Sequence, residues 1–311
     1  KMKQLILSFA AMLLSLGALA QKEIMVIPQY HVNDTAIYRN SGVSTMSVMG
    51  SEIIINTTID MRFVVKEKTA DGYVVELYTS NVNAETGQGG LMAEMLSMSM
   101  KMIEGCNMKL ALDREGKLIG ILNFEEVKQQ QLKVMEQAID KLYQDHPQVE
   151  SALPRQTIIS QLEAQATEDA QLKSLLSTAN IFAYNGLTLA QGAKSEYVNP
   201  VGVNMLREVT MLDTNKRYVE TKAISKVTKE QMKQIIIDKV KENMQETPPN
   251  IESQIESMID SGMMSLHFNE DANVTFYPNL YVKSIDINNS SDIMMQKTTV
   301  KTTVTCLHNN F

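Results

Sequence analysis

The chain has no tryptophan, two cysteines, four histidines and seven prolines in 311 residues. Each shortage removes a class of function. Without tryptophan, and with aromatics at 5%, it has few of the flat platforms on which sugars stack, which weakens a sugar-binding reading. Two cysteines are too few for a disulfide scaffold. A single bridge between Cys106 and Cys306 stays open to an exported chain, as do two separate thiols packing as small apolar groups. His31, His146, His267 and His308 are scattered, and no pair has HExxH spacing. There is no GxSxG elbow and no CxxC, and GQGGLM (87–92) lacks the Lys-Ser/Thr of a phosphate loop. The adjacent carboxylates Glu125-Glu126 and Glu270-Asp271 read as solvated helix and turn residues. No catalytic residue, metal ligand or cofactor site can therefore be assigned, and an enzyme would need a site assembled from distant residues.

Positive charge is also scarce. The net charge is −7, with no Lys/Arg cluster to offset it, which argues against a nucleic-acid partner. What the N-terminus does have is an order: Lys1 and Lys3, an apolar stretch from Leu5 to Leu16, then Ala18-Leu19-Ala20 before Gln21. That is the pattern of a secretory signal peptide over residues 1–20. The apolar run falls short of the about 20 residues that span a bilayer, so no integral membrane segment is expected after cleavage. The expected location is the periplasm or the outside of the cell.

Downstream, apolar periodicity alternates between two and 3.6 residues. RFVVKEKTADGYVVELYTS reads as a hairpin turning at Ala70-Asp71-Gly72. NMKLALDREGKLIGIL is a second hairpin, turning at Asp113-Arg114-Glu115-Gly116, and feeds a helix from about Phe124 to Tyr143. Pro147 interrupts it, helical segments follow from about Pro154 to Ser177, and NIFAYNGLTLA (180–190) reads as strand. A hundred positions on, the order repeats. REVTMLDTNKRYVETKAI turns at Asp213, and Thr228-x-x-Gln231 is a capping box that opens a helix. Pro248-Pro249 end that helix, a short helix IESQIESMID follows, and strand resumes through TTVKTTVTCL at the C-terminus. The expected fold is α+β, a curved antiparallel sheet or sheets with amphipathic helices on one face and an internal hairpin–helix–helix–strand repeat. Beyond the signal peptide the segments are 21–105 (β-rich with a methionine helix), 106–205 and 206–311 (the two repeat units), forming one domain or two closely packed ones.

The most unusual stretch is GGLMAEMLSMSMKMIEGC (89–106), with five methionines in eleven positions. On a helix Met92, Met95, Leu96, Met98 and Met102 share one broad apolar face. A copper site would use Met98, Met100, Met102 and Cys106, but a helix turns Met100 about 160° away from both neighbours. Two uses remain: a deformable lining for an apolar ligand, to which those five residues are assigned, or a face packed on the sheet.

The leader ending LGALAQ, the FVVKEKTADGYVVEL hairpin and the NMKLALDREGKLIGI hairpin together resemble uncharacterised exported proteins of Bacteroidota, which carry a domain of unknown function. A helix-covered curved sheet also resembles bacterial lipoprotein-carrier folds. Those resemblances imply an envelope or secreted protein and bring no site residues. The expected function is non-enzymatic binding of a lipid, acyl chain or hydrophobic peptide in an apolar groove. The alternatives are an envelope interaction protein without a small ligand and, third, a hydrolase.

Overall fold

The computed structural model describes residues 23–48, 51–87, 97–98, 100–152, 154–176, 180–199, 202–243, 251–261, 266–293 and 296–311. Residues 1–20, read from the sequence as a signal peptide, and Met92, Met95, Leu96, Pro248, Pro249 and Gly262 lie outside them.

The three long strands that the β-branched runs encode come first: β2 (Thr35–Val48), β3 (Ser51–Lys68) and β4 (Gly72–Thr86). The turn between β3 and β4 falls at the Asp71-Gly72 signal, with the Thr69 N–H donating to the Gly72 carbonyl at 2.9 Å. Glycine is required there by close approach, since a Cβ on Gly72 would sit 1.9 Å from the Leu112 carbonyl oxygen. Next come β5 (Asn107–Asp113) and β6 (Leu118–Ile121), then α1 (Phe124–Asp145), α2 (Pro147–Ala152), α3 (Arg155–Gln165) and α4 (Glu168–Leu175). After these are β8 (Lys194–Val198), β9 (Asn204–Asp213), β10 (Tyr218–Ser225), α5 (Lys229–Asn243), α6 (Ile251–Asp260), β11 (Leu266–Phe276), β12 (Val282–Ile293) and β13 (Gln296–Asn309). The remaining two strands, β1 (Glu23–Met25) and β7 (Thr188–Ala190), pair with each other.

The other eleven strands form one open, curved antiparallel sheet in the order β6-β5-β4-β3-β2-β13-β12-β11-β10-β9-β8. The fold is α+β, as the periodicity implies, and all three segments read from the sequence contribute strands to this sheet. Hairpin followed by helices followed by strand does occur twice along the chain. Asp113 and Asp213 begin the two hairpin turns alike: each Oδ1 accepts from backbone N–H groups ahead of it, Glu115 and Lys117 in one, Asn215 and Lys216 in the other. The capping box forms as read, the Thr228 Oγ1 accepting from the Gln231 N–H at 3.2 Å and the Gln231 Oε1 from the Thr228 N–H at 3.0 Å.

One stretch differs. Residues 180–186 are consecutive turns, and strand occupies only 188–190. Ile181, Phe182 and Tyr184 are buried there as plugs, a use of apolar residues that short-range alternation does not distinguish from a strand.

The main core lies between the large sheet and a cover made of the β1–β7 ribbon, this turn and residues 26–34. Sheet residues Tyr38, Phe63, Val65, Leu77, Leu110, Val274 and Ile285 pack against Val26, Tyr30, Phe182 and Tyr184 from the cover. Tyr30 meets Phe63 at 5.7 Å and Tyr281 edge-on at 5.0 Å, and Phe311 stacks on Tyr281 at 4.0 Å. Helices pack at the sheet's two ends. At one end, α1 lies on β5 and α4 on β6, where the Glu168 carboxylate accepts from the edge N–H of Ile121 at 3.0 Å. At the other, Met232 and Ile235 of α5 cover Met205, Ala223 and Leu266.

Candidate functional site

The register defines which residues share the sheet's inner, core-facing side. Starting from buried Arg207 on β9, one cross-strand row runs through Ala223, Glu270, Asn289, Val300, Ser44 and Ile55 to Thr86 on β4. A second runs from Phe268 through Ser291, Thr298 and Met46 to Ile53. These rows continue the face that carries the core, but beyond its packed part. Met46, Ile53, Ile55, Val82 and Val300 are only half-buried. Among the described residues none of them joins an apolar cluster, and the helices pack on β5–β6 and β9–β11 rather than on these central strands. The outer side of the same stretch presents Glu52, Asn56, Asn83, Glu85, Lys297 and Lys301 to solvent. The inner side is therefore an apolar strip with hydroxyl residues between, on strands hydrogen-bonded to neighbours on both sides.

At one end the strip meets charge. Arg207, Thr221, Glu270 and Tyr184 are 6%, 2%, 8% and 0% exposed. The small Ala223 between Arg207 and Glu270 lets the guanidinium and carboxylate approach across it, to 3.9 Å. The guanidinium lies 4.4 Å from the Tyr197 ring centroid and 5.2 Å from that of Tyr184, which offers it two π faces. The Tyr197 hydroxyl donates to Glu270 Oε1 at 3.0 Å. Burial pushes the Tyr184 hydroxyl up to about 12, with the nearby Arg207 charge opposing.

At the covered end of the face, the Tyr281 hydroxyl donates to Asp34 Oδ2 at 2.6 Å, and the same oxygen accepts from the His31 N–H at 2.8 Å. Burial, then the Asp34 carboxylate, raises the Tyr281 hydroxyl well above the usual tyrosine range. Tyr30, held by Asn185 at 3.0 Å, is raised by burial too. The space these rings enclose with Pro28, Tyr38, Phe63 and Ile181 is about 10 Å³, room for one water molecule. This end is packed core, not a ligand cavity.

Of the residues assigned from sequence as a ligand lining, Met92, Met95 and Leu96 are outside the described residues. Met98 and Met102 pack against Met135, Ile139, Leu142 and Ile159 of the helical layer, not on the sheet. The described helix of that stretch ends at Lys101, and Gly105 in a left-handed conformation leads into Cys106. Cys106 and Cys306 are both free thiols. Strands β4, β3 and β2 separate β5 from β13, about 19 Å at about 4.8 Å per strand, whereas a disulfide needs Cα atoms within about 7 Å. Burial pushes the Cys106 thiol up, which suits a packing role. The inner-face row and the Arg207–Glu270 pair were missed in the sequence. Their one signal was the unbroken Ile53-Ile54-Ile55 run, which hides which residue faces in.

Among the described residues no helix is long and apolar enough to cross a membrane. No family model matches the chain, and no curated protein matches it. Among solved structures the chain is similar to lipovitellin, in a structure described for its lipid–protein interactions, with a TM-score of 0.44 and 10% identity. The match covers 91% of this chain and 26% of lipovitellin, so the chain spans about a quarter of that protein, and a likeness this slight brings no function with it.

Proposed function

We propose that this is an exported, non-enzymatic binding protein that holds a small lipid or acyl chain on the open half of the sheet's inner face. The observation that carries the reading is the strip Met46, Ile53, Ile55, Val82 and Val300, half-buried and outside the packed clusters of described residues. An acyl chain suits it better than a peptide. A peptide docking as a strand needs a free sheet edge, and the central strands are paired on both sides, whereas an acyl chain has no hydrogen bonds to satisfy. The Ser and Thr residues along the strip fit this use, because their hydroxyls can bond the local backbone and present a methyl or methylene to the ligand.

Native mass spectrometry of freshly purified protein, followed by titration with a fluorescent fatty acid, tests the reading. Co-purifying lipid, or saturable uptake at one equivalent, is expected. A clean unliganded mass with no uptake would favour an envelope interaction protein whose apolar faces are internal.

A further inference from the structure

Gly42 stands in the interior of β2, where glycine weakens a strand and needs a reason. The ordinary reasons are missing. Gly42 pairs in register with Thr302 on one side and Thr57 on the other, and the one irregularity in these two ladders lies between Cys306 and His308. Its backbone is not in the left-handed region. Close approach of another group is the reason left. What the glycine leaves is a gap on the inner face, between the sealed core and the apolar strip. The side-chain atoms nearest to where a Cβ would stand are oxygens, Thr57 Oγ1 at 2.8 Å and Thr302 Oγ1 at 3.8 Å. Both threonines therefore turn a hydroxyl toward the gap. Asn40, two residues back on the same face of β2, adds an amide about 7 Å along the strand. All three side chains are half-buried, so each is reached by solvent. Among the described residues none of the three makes a side-chain hydrogen bond within the protein.

Resting on the lipid-binding reading, we propose that Gly42, Thr57, Thr302 and Asn40 seat the ligand's head, and that this head is uncharged and carries a hydroxyl. The tail then runs outward over Ile55, Met46 and Ile53. Ile55 stands one row beyond Gly42, and Met46 and Ile53 stand two, about 7 and 14 Å along the strands, so the head and tail positions adjoin. Hydroxyl and amide side chains both donate and accept, and a ligand hydroxyl does the same. No charged residue stands in the Gly42 row, or in the row on either side of it, from β13 to β3. Arg207 and Glu270 are at least three strands away and already face each other. A carboxylate or phosphate would lose hydration at this seat with no counter-charge in return.

The test measures displacement of the fluorescent fatty acid from the full protein by three probes of equal chain length: an alcohol, the alkane and the carboxylic acid. The alcohol should bind tightest. Gly42→Ala places a methyl group in the seat and should weaken the alcohol at least about fivefold. Its thermal melting should be unchanged or higher, because alanine suits a strand interior better than glycine. Thr57→Val and Thr302→Val each remove one hydroxyl from a half-open position, and each should weaken the alcohol about fivefold while leaving the alkane unchanged. Equal affinity for alcohol and alkane, tighter binding of the acid, or folded variants that bind the alcohol as wild type overturns the seat and leaves the strip standing. If Gly42→Ala does not fold, the two valine variants decide alone. Failure to take up any probe, the fluorescent fatty acid included, removes the strip reading and this inference with it.

Discussion

The two halves of the inner face differ in what covers them. Toward Val65 and Val274 the sheet is sealed by the β1–β7 ribbon and the 180–186 turn, and Phe63, Leu77 and Ile285 are at most 1% exposed. Six to ten residues along β3 from Phe63, the inward-facing Thr57, Ile55 and Ile53 stay half-buried. Backbone pairing is continuous across the boundary, so the sheet itself needs no cover to persist; only the side chains register its absence. Among the described residues this strand half has no packed partner layer, so it contributes little to stability. The proposed binding role would therefore come at small cost to the fold.

The boundary is marked on the outer face. Arg39 donates twice to Asp60, at 2.7 and 2.8 Å, and Asn81, in a left-handed conformation at the β3–β4 irregularity, donates to Asp60 at 2.8 Å. The Arg39 hydrogen bond holds the Asp60 carboxyl below its ordinary range.

The contrast between the halves can be broken from the core outward. Phe63→Ala should cost about 3–5 kcal/mol in urea unfolding, because a filled ring site in sealed core leaves a cavity. Glu270→Ala should cost about 3 kcal/mol by the same measurement, leaving the Arg207 charge buried and unpaired. Asp60→Asn should cost about 1 kcal/mol at neutral pH, discounted because Arg39 is half-exposed. Its pH dependence has a definite sign. A lowered folded-state pKa gives stability that is present above the ordinary aspartate range and fades as pH falls through the folded value, so the variant's acid unfolding limb should be shallower. Ile55→Ala should cost less than about 1 kcal/mol, since it empties no packed site. A cost of several kcal/mol there would show the strip to be core.

Much of the fold was legible because its signals are local. The α1 boundaries, the Thr228–Gln231 box and the Asp113 and Asp213 turns depend on residues within a few positions of each other. Strand order was not legible, because the pairing of β2 with β13 joins residues 248 to 273 positions apart and nothing in either strand names its partner. The candidate site was hidden for a related reason. Glu270-Asp271 reads as a solvated turn pair, yet both residues lie in β11, and Glu270 is buried on the inner face, where it meets Arg207, which shares the inner parity of Met205 and Val209. In the methionine stripe the amphipathic pattern was visible, but whether its greasy face meets sheet or helix depends on tertiary packing, and Met98 and Met102 meet helix.

The most direct test of the binding claim uses adjacent residues that point to opposite faces. Ile54 is exposed on the outer side at 40%, and Ile55 faces in. Titrating fluorescent fatty acid into Ile54→Asp and Ile55→Asp, both checked for folding by circular dichroism, should give near wild-type uptake for the first and loss of at least about tenfold in affinity for the second. Equal uptake by the two folded variants would contradict the account.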